Sequence, residues 1–204
     1  MLKDRGLKMR SIQGGYMDLK NNVDKVIKDA KDYGVSYVMC AWIDHDGDNF
    51  DITNAKEATD VFNKAGKRLQ DEGITLVYHA HGYEFRNYDD GSLFDYMATN
   101  AEYFGFEMDV YWMQHGGANP MVLLNKYPDK FKLMHLKDME QGMVGNDTGH
   151  ADVETNVTLG TGQIDIDGLI KRAKELGIEY LFIEDESSRS VKQIPMSVKY
   201  VKGL

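Results

Sequence analysis

Two hydrophobic periods alternate along this chain, and that alternation limits the folds open to it more than any other feature. Short apolar runs with period 2 occupy residues 8–13, 36–43, 74–81, 104–112, 131–138 and 179–186. Longer amphipathic stretches with period near 3.6 lie between and after them, at 19–34, 53–73, 92–101, 119–128, 165–177 and 189–204. The first periodicity belongs to strands and the second to helices. Glycine follows several of the helical stretches, at Gly34, Gly73 and Gly177, where a left-handed residue can end a helix. Pro120 fits a first helical turn, and Pro195 is expected to kink or break the last helix. A strand followed by a helix, repeated about six times, predicts an α/β fold with a parallel sheet and right-handed crossovers. Apolar strands of this kind are covered on both faces. Periodicity leaves two architectures open, a doubly wound sheet and a (β/α) barrel. A full barrel has eight units and about 250 residues.

The chain has 204 residues, enough for one domain with its own core, so residues 1–204 are read as a single domain. Its net charge is −9 and it has no basic run, which argues against a nucleic-acid partner. No stretch approaches the ~20 apolar residues of a membrane span. The single cysteine, Cys40, lies in an apolar run and excludes an intrachain disulfide. A reducing, cytoplasmic location fits this composition.

In both architectures the site lies at the carboxyl ends of the strands. Side chains alternate along a strand, so in "FKLMHLKD" Leu133, His135 and Lys137 share a face. His79 and His81 share one with Val77 in 74–81, with Glu84 three residues beyond. Glu107 and Asp109 share one in 104–112, and Phe182, Glu184 and Glu186 share one in 179–186. One such strand reads more readily as a structural ion pair. Four in succession bring ionisable groups to one side, where burial is costly unless the groups are paired or bind a metal. Carboxylates with one imidazole suit a divalent cation.

At these residues the chain resembles a known family. "YHAHGYEF" (78–85), "FEMDVYW" (106–112), "GGANPMVLLNKYPDKFKLMHLKD" (116–138) and "LGTGQIDIDGLIKRAKELGIEYLFIEDE" (159–186) are similar to the sugar phosphate isomerase/epimerase family, the xylose-isomerase-like TIM barrel group. The resemblance covers nearly the whole chain. It implies a TIM-type (β/α) barrel that is incomplete, with about six β-α units, the first two units of the family being missing. It also implies one divalent metal, manganese first and magnesium, cobalt or zinc next, held by Glu84, Asp109, His135 and Glu184. His79 is a second candidate at the first of these positions, and Glu186 competes with Glu184.

The activity implied is metal-dependent isomerisation or epimerisation of a sugar or keto-sugar by proton abstraction α to a carbonyl. Glu84, Glu184, Lys137 and His79 would be catalytic, and His81, Trp112, His115 and Glu186 would bind substrate. The alternatives are a sugar or inositol dehydratase on the same site, or a degenerate carbohydrate-binding subunit. The expected ligand is a small carbohydrate, with no nucleic acid and no membrane. A second copy of the chain would cover the open barrel edge. The polar stretch 140–158 is expected to form a flexible rim or lid, with Asp147, His150 and Asp152 in reach of substrate. Trp42 and His45 fit either the pocket lining or a surface loop, and Tyr111 fits either a pocket wall or the core.

Overall fold

The computed structural model describes residues 3–204. Six strands form one sheet in chain order: β1 (Ser11–Gln13), β2 (Tyr37–Cys40), β3 (Thr75–His79), β4 (Phe104–Asp109), β5 (Phe131–Leu136) and β6 (Tyr180–Ile183). Ser11 is in register with Tyr37, Tyr37 with Thr75 and Tyr180 with Leu133, all parallel. The helices are α1 (Tyr16–Asn21), α2 (Val23–Tyr33), α3 (Ile52–Gln70), α4 (Leu93–Asn100), α5 (Val110–His115), α6 (Pro120–Lys126), α7 (Ile166–Leu176) and α8 (Ser190–Val201). No helix among the described residues is long and apolar enough to cross a membrane.

Each strand is shorter than the apolar run that signalled it, and three helical boundaries depart from the sequence reading. The stretch 19–34 holds two helices, because Asn22 leaves helical geometry (φ −149°, ψ 46°) and serves as the end of α1 and the start of α2. The run 104–112 is strand only to Asp109, and Val110–His115 is helix. Helix α8 runs through Pro195 without ending there. Side chains on either side hold it: Gln193 Nε2 donates to Asp185 Oδ2, and Ser197 Oγ accepts from Leu159 N.

The chain divides into two compact units, one of residues up to His79 with Leu93–Phe106, the other of Ala80–Ser92 with Glu107–Leu204. In the first, α3 begins at a capping box, where Asp51 accepts from Thr53 N and Asn54 N while Asn54 reaches back to the Asp51 N–H. Its buried stripe centres on Phe62, whose ring meets Tyr16, Tyr78 and Phe104 at 5.9, 5.1 and 5.3 Å. Truncating such an aromatic residue costs about 3–5 kcal/mol. Gly66 is needed on the same helix, since a Cβ there would lie 2.2 Å from the Tyr103 carbonyl oxygen.

In the second unit, Asn119 caps α6 by accepting from Val122 N, with Pro120 at the first turn as expected. The interior is built from Leu123, Leu124, Leu133, Ile166, Leu169 and Ala173, all buried. The stretch 140–158 is held rather than loose. Asn156–Val157 pairs antiparallel with Asp138–Met139. The Tyr111 hydroxyl bonds to Thr155 Oγ1 at 2.7 Å, and Arg86 Nε pairs with Asp147 Oδ2 at 3.0 Å. Asp138 ties down the loop that leads into α7, accepting from the N–H groups of Met139, Gly160, Gly162 and Ile164.

Candidate metal centre and active site

Strand β4 reads Phe-Gly-Phe-Glu-Met-Asp, and all six residues are buried. Alternation separates Phe104, Phe106 and Met108 from Glu107 and Asp109. The aromatic members pack against one another and against Phe94. The two acids go the other way and meet His135 of β5. Glu107 Oε1 lies 3.2 Å from His135 Nε2, and Asp109 Oδ2 lies 3.7 Å from His135 Nδ1.

Asp109 has a second duty. Its Oδ1 accepts from Tyr111 N at 2.9 Å and Trp112 N at 3.0 Å, which caps α5. One carboxylate therefore ends a strand, starts a helix and still presents an oxygen to the imidazole. Strand β6 brings the third acid. Phe182 is in register with His135, so Glu184, two residues on, points to the same side. Its Oε2 lies 2.5 Å from His135 Nδ1. Asp109, His135 and Glu184 each offer one ligand atom, and these atoms lie within 4.8 Å of one another.

Lys137 completes this cluster. Its side chain is 1% exposed, its ammonium is paired with Glu186, and it lies 3.8 Å from Glu184 Oε1. It also sits over the rings of Tyr111 and Trp112, at 5.3 and 5.5 Å from their centroids. Burial works against charge on Lys137, but Asp109, Glu184 and Glu186 hold its pKa above the ordinary value. Burial works against the His135 imidazolium too. The neighbouring carboxylates of Asp109, Glu107 and Glu184 outweigh it and push the ring up to about 12. Glu184 moves the other way: burial would raise it, but the bond to His135 dominates and lowers it.

The donor set fits a divalent cation. Four carboxylates, from Glu107, Asp109, Glu184 and Glu186, face one ammonium and one imidazole. Glu107 is buried, and neither of its oxygens makes a hydrogen bond of good geometry with the described residues. Negative charge in such excess is what a metal ion relieves.

The other expected site residues lie around this cluster or apart from it. Trp112 is buried, with the His81 ring 4.9 Å and the His115 ring 5.5 Å from its own. His115 is buried and stacked on Tyr111, so Tyr111 belongs to the packing beneath the site. Burial lowers the His115 pKa. His115 also lines a cavity of about 360 Å³ with Gln114, Asn146, Asp147 and Gln163. Glu84 is fully buried, and its carboxylate accepts from His81 N and Gly82 N at 3.1 and 2.9 Å. His79 ends β3 and is buried. His150 and Asp152 are exposed, and Asp152 accepts from Glu154 N as the cap of a 3-10 turn. In the first unit, Trp42 and His45 stack at 5.1 Å. The sequence reading assigns Glu107 no role. Its signal is nonetheless there, two residues before Asp109 on the same face of β4.

Comparison with known proteins identifies the family and the fold. A family model described as xylose isomerase-like TIM barrel matches residues 18–202. An inosose dehydratase from Clostridium beijerinckii is 34% identical over 86 residues, which is 41% of this chain and 28% of that protein. An inosose dehydratase from Clostridium botulinum is 29% identical over 140 residues, 63% of this chain and 46% of that protein. The chain thus spans less than half the length of these relatives. Among solved structures, a sugar phosphate isomerase/epimerase from Parabacteroides distasonis superposes with a TM-score of 0.76 at 23% identity, covering 100% of this chain and 75% of that one. The IOLI protein, solved with a bound zinc atom, superposes at 0.74 and 16% identity, covering 97% and 76%. The six-stranded sheet and its helices are thus those of an incomplete TIM-type barrel, and the chain belongs to the xylose isomerase-like TIM barrel family.

Proposed function

We propose that this chain is a divalent-metal-dependent isomerase or epimerase of a small carbohydrate, acting by proton abstraction α to a carbonyl. The observation that carries the reading is the convergence of Asp109, His135 and Glu184 within 4.8 Å, beside a buried lysine. Those three residues would hold the metal, and the remaining position is open to Glu84 and His79, the two candidates that the sequence puts forward. Manganese is the ion we expect first, with magnesium, cobalt and zinc as alternatives. When bound, such an ion polarises a carbonyl as a Lewis acid.

The chain's own residues account for the rest. Glu184, partly open to solvent at 31%, takes the proton from the α-carbon. Lys137 is fixed over two aromatic rings and directs its ammonium at oxygen as negative charge develops there. Glu84, whose carboxylate accepts from two backbone N–H groups, serves as the second acid–base. Glu186 holds the lysine, and His81, Trp112 and His115 form the wall that receives the sugar. Return of the proton to the neighbouring carbon, with the hydroxyl proton passed from one oxygen to the other, isomerises the substrate; return to the opposite face of the same carbon epimerises it.

A dehydratase is the second reading, favoured by the two inosose dehydratases among the relatives. Both reactions share the first step. The test is deuterium exchange at the α-carbon of a panel of keto-sugars and keto-inositols in heavy water with added manganese. Exchange that needs metal and disappears in Glu184→Gln supports the common step, and loss of water from the product selects dehydration. No exchange on any member of the panel would oppose both.

A further inference from the structure

Resting on the metal-site reading above, we propose that Glu107 is a positioning residue that fixes the tautomer and angle of His135, so that Nδ1 is the atom presented to the cation.

Glu107 is a buried acid with too few partners. It is 1% exposed, and both carboxylate oxygens are buried with no well-formed hydrogen bond from the described residues. A carboxylate in that position is costly unless something nearby needs its charge. The nearest basic atom is His135 Nε2, at 3.2 Å. The other ring nitrogen, Nδ1, faces Glu184 Oε2 at 2.5 Å and Asp109 Oδ2 at 3.7 Å. The ring thus stands between one carboxylate on one side and two on the other.

A neutral imidazole has one N–H and one lone pair. To ligate a cation beside Asp109 and Glu184, His135 must offer the lone pair on Nδ1 and keep its proton on Nε2. Glu107 Oε1, 3.2 Å from Nε2, is the carboxylate oxygen within reach of that proton once the ring turns to a cation. The division of labour comes from the strand. Glu107 and Asp109 are two residues apart on β4, so both face His135, but only Asp109 reaches the Nδ1 side. A carboxylate on the far nitrogen orients the ring and makes its lone pair a better donor. Glu107 therefore stays out of the coordination sphere and acts through the histidine.

The test compares wild type and Glu107→Gln by titration calorimetry with zinc alone, and locates the His135 proton in the zinc-loaded wild type by long-range proton–nitrogen NMR. Thermal melts with and without zinc accompany both proteins. We expect zinc affinity to fall by about 10–100-fold in the variant. The melt of the metal-free variant should stay close to wild type while the metal-induced rise shrinks. The wild-type spectrum should show the proton on Nε2. Equal zinc affinity in the two proteins, or a zinc-loaded wild type with the proton on Nδ1, would overturn the role of Glu107 and leave the metal site standing. A variant that melts lower by the same amount with and without zinc would assign Glu107 a purely structural role, also against the proposal. Wild type that takes up no zinc, manganese or cobalt would instead remove the metal reading itself. The wild-type spectrum decides the tautomer even if the variant fails to fold.

Discussion

Asp109 divides its two oxygens between two jobs, and single substitutions separate them. Oδ1 caps α5, and Oδ2 faces the imidazole. Asp109→Asn keeps an amide oxygen for the cap but removes the charge, so metal content should collapse while the metal-free melt changes little. Asp109→Ala removes both, and the lost cap should cost a further ~0.5–2 kcal/mol in denaturant unfolding. If the two variants unfold alike, the capping role is wrong. Lys137 makes a second prediction at this scale. It is buried against Tyr111 and Trp112 and bound to Glu186, so Lys137→Met should keep its metal yet lose about 10²–10³ in turnover. Parallel assays of bound metal and of α-carbon exchange check both halves. The residue scale is also where the sequence was most readable for chemistry. Period 2 paired Glu107 with Asp109, His135 with Lys137 and Glu184 with Glu186 on one face of each strand, and the family resemblance singled out Asp109, His135 and Glu184. Periodicity put Glu107 on the same face as Asp109 but could not give its part, because the difference between a ligand and a ligand's partner is a matter of which ring nitrogen lies 3.2 Å away. It was silent on the two backbone N–H groups that engage Glu84, since a turn's geometry is not written in its periodicity.

Elements explain why the site is held still. Asp138 joins the end of the β5 region to the loop before α7 through four backbone N–H groups. Gly162 must be glycine there, since a Cβ would fall 2.2 Å from Asp138 Oδ1. Asp138→Ala should destabilise the fold by about 1–3 kcal/mol through stranded donors, measured by urea unfolding. An unchanged midpoint would show that this loop does not depend on them. Elements also show where sequence reading failed. "DVYWMQH" from Asp109 on combines a β-branched residue with aromatics, so it extended the apparent strand. The structure makes it α5, because the Asp109 cap and burial of Tyr111 and Trp112 override local preference. The long polar stretch 140–158 looked loose because its anchors, Tyr111 to Thr155 and Arg86 to Asp147, are far apart in sequence.

At the scale of the whole molecule, the pattern of strand and helix was legible in the sequence, but the choice between a doubly wound sheet and a barrel was not. Both place the same amphipathic units in the same order, and only the run of motifs from "YHAHGYEF" to "EYLFIEDE" favoured the barrel. The sheet order, six parallel neighbours in sequence, agrees with that choice. A bound ion should also register as global stability. At one hundred times its dissociation constant a ligand of the folded state adds about 2.7 kcal/mol. For a chain of this size that is a rise in melting temperature of roughly 5–10 °C.

Equilibrium dialysis of the purified chain against manganese and zinc, with the metal counted per chain, is the most direct measurement. The account predicts one tightly held ion in wild type and almost none in Asp109→Asn or His135→Ala, with both variants folded. A wild type that emerges without metal, or variants that retain it in full, would contradict the account at its centre.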